Sequence, residues 1–590
     1  SIYLYTKTKM SHNLHEISGN YIESMISNVK DMKAIIFDNE TQVIFSLEFS
    51  KSLALKQEIF LFESIDKIQT DQKLNLNGIF FIRPTLKNLD NLKKILQSSN
   101  FKEINLFFTN QITDDYLQKL AQYDINMQVK NVQEIYLDYY IINSNVFHLN
   151  IESCICNLDM NPIEKWNTLD VQMYDRIYQG LISACLSNRM KPIIKSVKGS
   201  TLCQKLGKKL AAFFDDNYDF IKKECGQNFN GTILLYDRKE DPITPLINQW
   251  TYQAQLHEIL GIKNNVIELK KGSDIKDKPE KYVLSDVESI DKFFSKYKFA
   301  DYGTVATAVQ QEAEKLKSDN DMLNKESSIE ELRKIIDQLP EKKKESMAIT
   351  KHYKLFYSIS EYVTKHKLMD LSKIEQDISV NDNKKEQYNQ IVQIISDPKV
   401  DNLDKCKLYL LYMLRYENDQ NVRNLKSIMI ENKLGDWVTY GDALLKYAGR
   451  ERRKLDCFQD KDILSKGKKF IMNALGQGNE NAFMQHISYL NGMVERLLKG
   501  RSRDNETVNI NYNSGNNSIN DPKFSNLIVF VFGGITFEEI RDLTLLGNQL
   551  GVNIICGGTN IINSKSFLAE MSMIKEKLNS SNNDTALIVE

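Results

Sequence analysis

Short apolar runs alternate with amphipathic segments through the first quarter of the chain. Between residues 33 and 137 an apolar run recurs roughly every 20 to 25 residues, a spacing typical of strands joined by helices. The runs are AIIF from Ala34, IFLF from Ile59, IFFI from Ile79 and INLFF from Ile104, with helix-compatible segments at residues 86–96 and 114–121. This alternation predicts a parallel sheet covered on both faces. We assign it to an N-terminal α/β domain of residues 1–137.

A second α/β region follows and is then interrupted. It contains a helical stripe at residues 170–186 and an apolar strand that begins near Ile233, after which residues 246–499 are helical in pattern. Strand patterns return at residues 527–532 and 552–556, with a helix between them. This tail is too small to bury both faces of a parallel sheet alone. We therefore predict a discontinuous second α/β domain, residues 138–245 and 500–590, with an all-α domain of residues 246–499 inserted into it.

An asparagine-rich segment separates the helical region from the tail. Residues 501–521 have little apolar content and many asparagines. Such a segment buries too little apolar surface to offset the entropy lost on ordering. We predict a disordered linker there.

A proline interrupts a long helical pattern within the inserted region. Apolar residues follow helical spacing up to Leu339, Pro340 comes next, and a second stripe resumes at Met347. Because a proline inside a helix costs about 3 kcal/mol, we expect the chain to bend or reverse at Pro340. The pattern predicts a helical hairpin around residues 330–365. Periodicity alone also allows an ordinary hairpin packed on its own subdomain.

Composition narrows the class of protein. The chain has 590 residues, and its 77 lysines and arginines against 78 aspartates and glutamates leave a net charge of −1. It therefore lacks the broad basic field of proteins that bind nucleic acid, and we expect protein partners. The longest apolar stretch, residues 527–535, is far shorter than the roughly 20 residues of a membrane span, and no secretory signal precedes the first domain. We expect a soluble, cytoplasmic protein with reduced cysteines.

Phosphate-binding loops are the first chemistry to test in an α/β domain. The first 150 residues contain only Gly19 and Gly78, so neither a dinucleotide fingerprint nor a P-loop is present there. The pair Gly533 and Gly534 and the pair at Gly557 follow strands and precede helices. We interpret both pairs as tight turns because no phosphate-binding lysine follows them.

Catalytic and metal-binding groups are also missing from the pattern. The seven histidines lack the spacing of zinc ligands, and no nucleophile is accompanied by a base. Asp237 and Asp241 resemble an acid/base pair, but Arg238 lies between them, and anchoring of a loop by ion pairs explains these residues better. We predict no enzymatic activity, no cofactor and no metal. An α/β enzyme with an unrecognised small-molecule site stays as the alternative.

The stretch from residue 232 to 262 carries the strongest signature. An apolar strand leads into D-R-x-x-D-P-x-T-P and then W-T-Y-Q-x-x-x-H-E, so charged residues, two prolines and a buried helix follow one another closely. This pattern closely resembles the signature of the SM family, the Sec/Munc-type regulators of SNARE-mediated membrane fusion. The resemblance continues through VLSDVES from Val283, KIEQDIS from Lys373, FMQH from Phe483 and FGGITFEE from Phe532, and so spans essentially the whole chain.

The resemblance implies a fold and a function. SM relatives have two α/β domains and an inserted helical domain that form a three-domain arch around a cavity. They bind a syntaxin-like Qa-SNARE and the assembling SNARE bundle, and tethering factors are further expected partners. The branch that this chain resembles acts in vesicle docking and fusion between Golgi and endosomes. We therefore expect a cytoplasmic protein that reaches Golgi, endosomal and vesicle membranes peripherally, through its partners.

Site residues are carried over from the family one position at a time. In the first domain, Leu117 matches a leucine of the pocket that binds the N-terminal peptide of syntaxin-type SNAREs. Its expected neighbours in that pocket are Ile112, Leu120, Val132 and Ile135. From periodicity alone, core packing is the simpler interpretation of these residues.

Further positions concern the inserted domain and the cavity. Pro340 matches the hinge of a helical hairpin that offers a template for SNARE helices, together with Tyr353, Leu355 and Phe356. Glu63 supplies acidic character for SNARE contact in the central cavity, whereas Val43 stands where tight binders of closed syntaxin carry a basic residue. The resemblance thus does not extend to tight binding of closed syntaxin. The residues expected to fix the domain junction are Asp237, Arg238, Asp241, Pro242, Pro245 and Trp250.

Overall fold

The computed structural model of the chain describes residues 13–49, 51–68, 73–98, 100–225, 230–269, 278–323, 329–458, 482–510 and 525–586. The chain divides into two compact units. The first consists of Ser1–Asp237, Glu506–Gly534 and Gly547–Asn560, and the second of Arg238–Asn505, Ile535–Leu546 and Ile561–Glu590. The division into three domains stays a prediction.

A five-stranded sheet forms the N-terminal part of the first unit. Its strands are β1 (Lys33–Phe37), β2 (Ile59–Ser64), β3 (Asn77–Ile82), β4 (Glu103–Phe108) and β5 (Val129–Glu134). The accompanying helices are α1 (Leu14–Ser27), α2 (Asn39–Glu48), α3 (Lys51–Lys56), α4 (Leu86–Ser98) and α5 (Asp114–Tyr123). The order is β2-β1-β3-β4-β5 and every pair is parallel. The predicted parallel sheet is confirmed.

Both faces of this sheet are buried, which explains its continuous apolar runs. Along β1, Ala34 and Ile36 pack in one hydrophobic cluster, and Ile35 and Phe37 pack in another. Because successive side chains of a strand point to opposite faces, each residue of the run enters one of two cores. The run AIIF is therefore fully apolar instead of alternating.

The rest of the first unit up to Asp237 adds four strands and three helices. They are β6 (Tyr140–Asn143), β7 (Val146–His148), α6 (Thr168–Ser187), β8 (Lys191–Val197), α7 (Thr201–Asp216), α8 (Tyr218–Cys225) and β9 (Asn230–Asp237). Asn167 caps α6 through a reciprocal pair of hydrogen bonds with Asp170, which fixes where that helix begins. The β9 strand holds the apolar run at Ile233.

The second unit is largely helical. Its elements up to residue 498 are α9 (Tyr252–Gln255), β10 (Val266–Leu269), β11 (Glu280–Val283), α10 (Lys292–Tyr297), α11 (Tyr302–Leu323), α12 (Ile329–Lys365), α13 (Leu368–Val380), α14 (Lys384–Ser396), α15 (Asn402–Arg415), α16 (Gln420–Glu431), α17 (Gly435–Ala448) and α18 (Tyr489–Leu498). Strands β10 and β11 form an antiparallel pair, so the all-α prediction is wrong for this short part. Four-residue strands are too short for their periodicity to show.

The C-terminal segment supplies β12 (Thr507–Ile510), β13 (Asn526–Phe532), α19 (Phe537–Leu550), β14 (Asn553–Gly558) and α20 (Ser564–Ala586). A seven-stranded sheet in the first unit has the order β12-β8-β9-β13-β14-β7-β6. Strand β13 pairs in parallel with β9, with Val529 opposite Leu234. The tail thus joins the sheet that β9 leaves open, as the sequence led us to expect.

Two expectations are wrong within the described residues. The predicted disordered linker contains strand β12, which pairs antiparallel with β8, because Val508 and Ile510 pack against the first unit's core. Residues 511–521 of that linker lie outside the described ranges. Helix α12 runs unbroken through Pro340, so the chain does not reverse there. A proline removes one backbone hydrogen bond, and a 37-residue helix keeps enough others to continue past it.

Candidate functional site

The expected peptide pocket lies at the edge of the five-stranded sheet, between α5 and β5. Thr113 caps α5, and Tyr116 and Leu120 face inward from that helix. Leu117 lies on the flank of α5 and is only partly buried, as is Val132 on β5. Within the described part of the chain β5 pairs with β4 alone. A partly exposed apolar surface therefore lies beside the edge strand β5.

A buried glutamate holds this surface in place. Glu134 Oε1 accepts a 2.8 Å hydrogen bond from the Ile112 amide, and Glu134 Oε2 accepts one of 2.7 Å from the Tyr136 hydroxyl. Burial raises the pKa of Glu134, while these two hydrogen bonds act in the opposite direction. The bond from Ile112 joins the loop before α5 to the end of β5.

Four of the five expected pocket residues belong to one cluster. Ile112 and Leu120 are buried in it, and Leu117 and Val132 pack against it from the surface. Ile135 lies instead in the hydrophobic cluster on the other side of the sheet. The structure therefore supports Leu117 and Val132 as accessible residues, assigns Ile112 and Leu120 to the supporting core, and separates Ile135 from them.

A groove between α11 and α12 is the second candidate surface. It has a volume of about 430 Å³. The exposed fractions of Tyr353 and Tyr357 are 50% and 60%, and the ring of Phe356 lies 5.0 Å from that of Tyr302. Leu355 is fully buried, so it belongs to the packing beneath α12 and not to the expected contact surface. The lining residues are Ala306, Val309, Gln310, Ala313, Glu314, Tyr353, Phe356, Tyr357 and Ser360.

The segment of α12 that lines this groove is fixed by a buried histidine. His352 Nε2 lies 3.0 Å from both carboxylate oxygens of Asp291, and His352 Nδ1 lies 2.9 Å from the Tyr252 hydroxyl. Burial would raise the pKa of Asp291, but His352 and Lys351 outweigh it and hold that pKa at about 2. The groove therefore rests on a rigid base.

The junction motif forms a buried polar network in the second unit. Arg238 is fully buried, and its guanidinium donates hydrogen bonds of 2.8 and 2.6 Å to the two carboxylate oxygens of Glu539 and one of 3.0 Å to the Asp241 carbonyl. The Asp241 carboxylate accepts hydrogen bonds from Thr244 and from the Tyr489 amide. Burial would raise the pKa of Asp241, but Arg238 and other neighbours hold it below its usual value.

The remaining residues of the motif are also structural. Pro242 and Pro245 are buried, and the Trp250 indole donates a 3.0 Å hydrogen bond to the Ser372 hydroxyl. Asp237 ends β9 in the first unit and is fully buried. Glu63 lies elsewhere, on the edge strand β2, where its carboxylate accepts a hydrogen bond from the Ser64 amide. Because the motif is buried, it is suited to fixing the chain and not to contacting a partner.

Comparison with known proteins identifies the family. The model of the Sec1 family matches residues 33–570. The chain belongs to the Sec1 family. It is 31% identical over 558 residues to vacuolar protein sorting-associated protein 45 of Dictyostelium discoideum, covering 94% of this chain and 95% of that protein. It is 30% identical to the Arabidopsis thaliana homologue of the same name, covering 94% of this chain and 96% of that protein.

A solved Sec1-family structure has the same fold. It is the SM protein Vps45 in complex with the Qa-SNARE Tlg2, with a TM-score of 0.84 and 28% identity over 96% of this chain and 98% of that one. The family resemblance drawn from the sequence motifs is confirmed. The Sec1 family consists of SNARE regulators, which is the class that the motifs predict.

Hydrogen bonds join the protein's own side chains at the position where α/β folds commonly bind ligands. Such folds bind ligands at the switch point of strand order, here between β1 and β3. Asp38, at the end of β1, accepts hydrogen bonds of 2.7 Å from the Arg83 amide and from Asn88. The Arg83 side chain donates to Asp138 at 3.0 Å and to Gln179 at 2.9 Å. Side chains at the carboxyl ends of these strands are therefore hydrogen-bonded to other groups of the protein.

The two glycine pairs also have structural explanations. Gly533 and Gly534 have φ angles of 87° and 100°, a region that favours glycine, and the Gly533 amide donates to the Thr559 hydroxyl. A Cβ added at Gly557 would lie 2.4 Å from the Phe147 ring. Gly533 and Gly534 therefore make a turn as predicted, whereas Gly557 and Gly558 lie within strand β14, where close packing explains Gly557 and the prediction of a turn is wrong.

Metal-binding clusters and membrane-spanning helices are two further features that bear on function. In the described ranges, no group of three or more histidine, cysteine, aspartate or glutamate side chains is arranged to hold a metal ion. No helix among the described residues has the length and apolarity needed to cross a bilayer.

The sequence motifs did not reveal every important residue. Glu539 lies within the FGGITFEE motif, but only the fold brings it to Arg238, from which it is 301 positions away. Tyr357 and the α11 side of the groove were also missed. An exposed tyrosine next to an apolar stripe was the available signal for Tyr357.

Proposed function

We propose that this protein binds a syntaxin-like Qa-SNARE and promotes SNARE assembly for vesicle docking and fusion in Golgi–endosomal transport. The observation that carries the proposal is the likeness, over 96% of the chain, to an SM protein solved with a Qa-SNARE. Relatives named for vacuolar protein sorting support a role in protein transport. The direct test is titration of the full chain with the cytoplasmic part of a Qa-SNARE from the same organism. Lack of saturable binding would overturn the proposal.

The protein promotes SNARE assembly by orienting the SNARE helices and not by a chemical reaction. Holding SNARE helices in register removes part of the entropy cost of starting their assembly, and no covalent bond forms or breaks. We propose that the two α/β domains and the inserted helical domain form a three-domain arch for this purpose. The protein acts at the cytoplasmic side of Golgi, endosomal and vesicle membranes, with tethering factors as further partners.

The surface between α5 and β5 is proposed to bind the N-terminal peptide of the Qa-SNARE. Leu117 and Val132 offer partly exposed apolar side chains beside the edge strand β5. A bulky apolar anchor on a short peptide fits beside such residues. The buried Glu134 network keeps this surface preformed.

Leu117→Arg is expected to abolish this peptide binding while leaving the fold intact. The partly exposed position lets an arginine extend its charged end into water, whereas that charge and the longer side chain block an apolar anchor. We expect the affinity for the Qa-SNARE N-terminal peptide to fall at least about tenfold, because one buried anchor commonly dominates such interfaces. Fluorescence anisotropy with a labelled peptide measures the change.

Gln118→Arg is the matched control for that variant. Gln118 is the next residue of α5 and is exposed, so the substitution adds the same charge beside the surface without entering it. The control should bind the peptide like the unmodified protein. Equal affinity of a folded Leu117→Arg variant would remove the pocket assignment.

The groove between α11 and α12 is proposed to hold a SNARE helix. Two exposed tyrosines and the apolar side chains of Ala306 and Val309 line it, and Glu314 lies at its side. An amphipathic helix places apolar residues along one stripe, which suits such a groove. Since α12 continues through Pro340, the helix is already extended and needs no hinge motion to present the groove.

Tyr353→Ala combined with Tyr357→Ala should weaken binding of the SNARE-motif helix by about tenfold or more, since exposed aromatic residues are frequent hot spots. Isothermal titration calorimetry with the SNARE-motif segment measures this loss. Met347→Ala is the control, because Met347 is exposed on the same helix but does not line the groove. A double variant that binds as tightly as this control would exclude the groove as the contact surface.

A further inference from the structure

Among the described residues that line the groove between α11 and α12, Glu314 alone is charged. The other lining side chains are apolar, aromatic or neutral polar ones. Glu314 is also exposed, so its carboxylate is accessible to a ligand that enters the groove. Such a ligand therefore lies next to a negative charge as well as to apolar surface.

A hydrogen bond within α11 orients this carboxylate. The Gln310 side-chain amide donates a 3.0 Å hydrogen bond to Glu314 Oε1, and both residues line the groove. They are four positions apart, so they are neighbours on one face of the helix. Because an amide is neutral, it orients the carboxylate without cancelling its charge.

Two lysines next to the lining bind carboxylates elsewhere. Lys315 follows Glu314 on α11, and its Nζ atom lies 3.2 Å from a carboxylate oxygen of Glu312. Lys354 is on α12, and its Nζ atom lies 3.2 Å from a carboxylate oxygen of Glu280. Neither lysine is among the residues that line the groove. The groove therefore presents negative charge to its ligand, and charge complementarity calls for a basic group on that ligand.

The size of the groove suits two turns of a helix. Its lining extends from Ala306 to Glu314 on α11, which is about 12 Å at the rise of an α-helix. On α12 it extends from Tyr353 to Ser360, which is about 10 Å. An amphipathic helix of that length presents three or four apolar residues along one stripe, with polar residues at the sides of the stripe.

We propose that the groove selects a SNARE helix that has a lysine or arginine beside its apolar stripe, and that this basic residue pairs with Glu314. The inference rests on the proposed function, because it takes a SNARE helix as the occupant. It adds the residue that decides which helix binds and in which register. A helix with an acidic residue at that place is repelled, and a shift in register separates the pair.

Titration of the full chain with the SNARE-motif segment of a Qa-SNARE, at 50 and 500 mM NaCl, tests the inference. Glu314→Lys should weaken binding at least about fivefold at the lower salt concentration, because attraction becomes repulsion. The loss should be clearly smaller at 500 mM, where exposed charges are screened. Glu314→Gln keeps the size of the side chain and an acceptor for Gln310, so it should weaken binding only about threefold.

Exchange of the two charges identifies the partner of Glu314. In a set of segments, each basic residue beside the apolar stripe is replaced in turn by glutamate. One of these segments should bind Glu314→Lys more tightly than it binds the unmodified protein. Glu431→Lys is the matched control: Glu431 is exposed at the end of α16 and does not line the groove, so this variant should bind like the unmodified protein.

The outcomes separate this inference from the proposed function. If Tyr353→Ala with Tyr357→Ala loses the segment but Glu314→Lys binds it like Glu431→Lys, the inference is overturned and the groove remains the contact surface. A loss in Glu314→Lys that is equal at both salt concentrations, or that no exchanged segment reverses, would also overturn it. Lack of binding by the unmodified protein would overturn the proposed use of the groove, and this inference with it.

Discussion

Replacing Arg238 with methionine is expected to lower the free energy of unfolding of the second unit by about 3 to 5 kcal/mol, the usual cost of removing one partner of a buried ion pair. Arg238 and Glu539 are both fully buried and joined by two hydrogen bonds of 2.8 and 2.6 Å. Methionine fills part of the space but leaves the Glu539 carboxylate without its cation. Burial raises the pKa of Glu539, and the loss of Arg238 would remove the main opposing influence.

Urea unfolding followed by tryptophan fluorescence measures this effect, because Trp250 and Trp437 lie in the second unit. Lys426→Met is the control: it breaks the exposed pair of Lys426 with Asp442, which should cost less than about 1 kcal/mol. Arg238→Met combined with Glu539→Leu should restore part of the lost stability, since it leaves no buried charge unpaired. If Arg238→Met costs no more than the control, the ion pair is not what stabilises the junction motif.

The pairing of two distant segments of the chain in one sheet could be predicted from the sequence. The apolar run at Ile233 ends a strand, and the tail after residue 525 is too small to cover a sheet of its own. Those two observations lead to the pairing of β9 with β13, which the register of Leu234 with Val529 confirms. The size of the C-terminal tail and the need to bury both faces of its strands lead to this pairing, and both can be estimated from the sequence.

The course of the chain at Pro340 could not be predicted in the same way. The local cost of a proline argues for a break, but the number of other hydrogen bonds in the helix decides the outcome. Helix α12 has 37 residues, so the loss of one bond is a small fraction of its stabilisation. The presence of a proline indicates a local energetic cost. The apolar pattern does not give the length of the helix that continues past it.

The candidate surfaces show the same limit. Apolar spacing placed Ile112, Leu117 and Leu120 on or beside one helix, but it could not tell that Leu117 alone of these stays partly exposed. Val132 and Ile135 are three residues apart, and an odd spacing along extended chain puts two side chains on opposite faces, so Ile135 lies in the other core. The alternation along β5 could have separated these two residues before the structure was known.

Ion pairs between buried residues that are distant in sequence could not be predicted either. Lys407 on α15 is 1% exposed and donates a 2.6 Å hydrogen bond to the Asn248 side chain. Its Nζ atom lies 3.7 Å from carboxylate oxygens of both Glu258 and Glu375, and Asp404 lies on the preceding turn of α15. One lysine therefore stabilises several carboxylates that come from different segments of the chain.

Lys407→Met should destabilise the second unit by about 3 to 5 kcal/mol near pH 8 and by clearly less near pH 5.5. Burial raises the pKa of Glu375 to about 7, against the lowering effects of Lys407 and the Asn248 amide. A carboxyl group whose pKa is raised by folding stabilises the fold at low pH, and that contribution is lost as the pH rises through the folded pKa. For Glu375 this window runs from its ordinary value of 4.5 to about 7.

Removing Lys407 raises the pKa of Glu375 further, because its largest stabilising neighbour is gone. At pH 5.5, below the folded pKa of about 7, the Glu375 carboxyl group is mostly neutral in both folded proteins, and the lysine then contributes less by pairing with it. Above the window the variant must either ionise a buried carboxylate without a cation or bind a proton, and both lower its stability. Urea unfolding at the two pH values measures the difference between variant and unmodified protein.

Glu375→Gln separates the two contributions, since glutamine keeps the size of the side chain and an acceptor for Asn248 but cannot ionise. In that background Lys407→Met should cost less at high pH, and its cost should depend less on pH, because Glu375 no longer ionises. A loss that is the same near pH 5.5 and pH 8 would mean that the lysine acts by packing alone. A loss that is larger at low pH would contradict the expected direction, and would place the titrating group on a side chain other than these carboxylates.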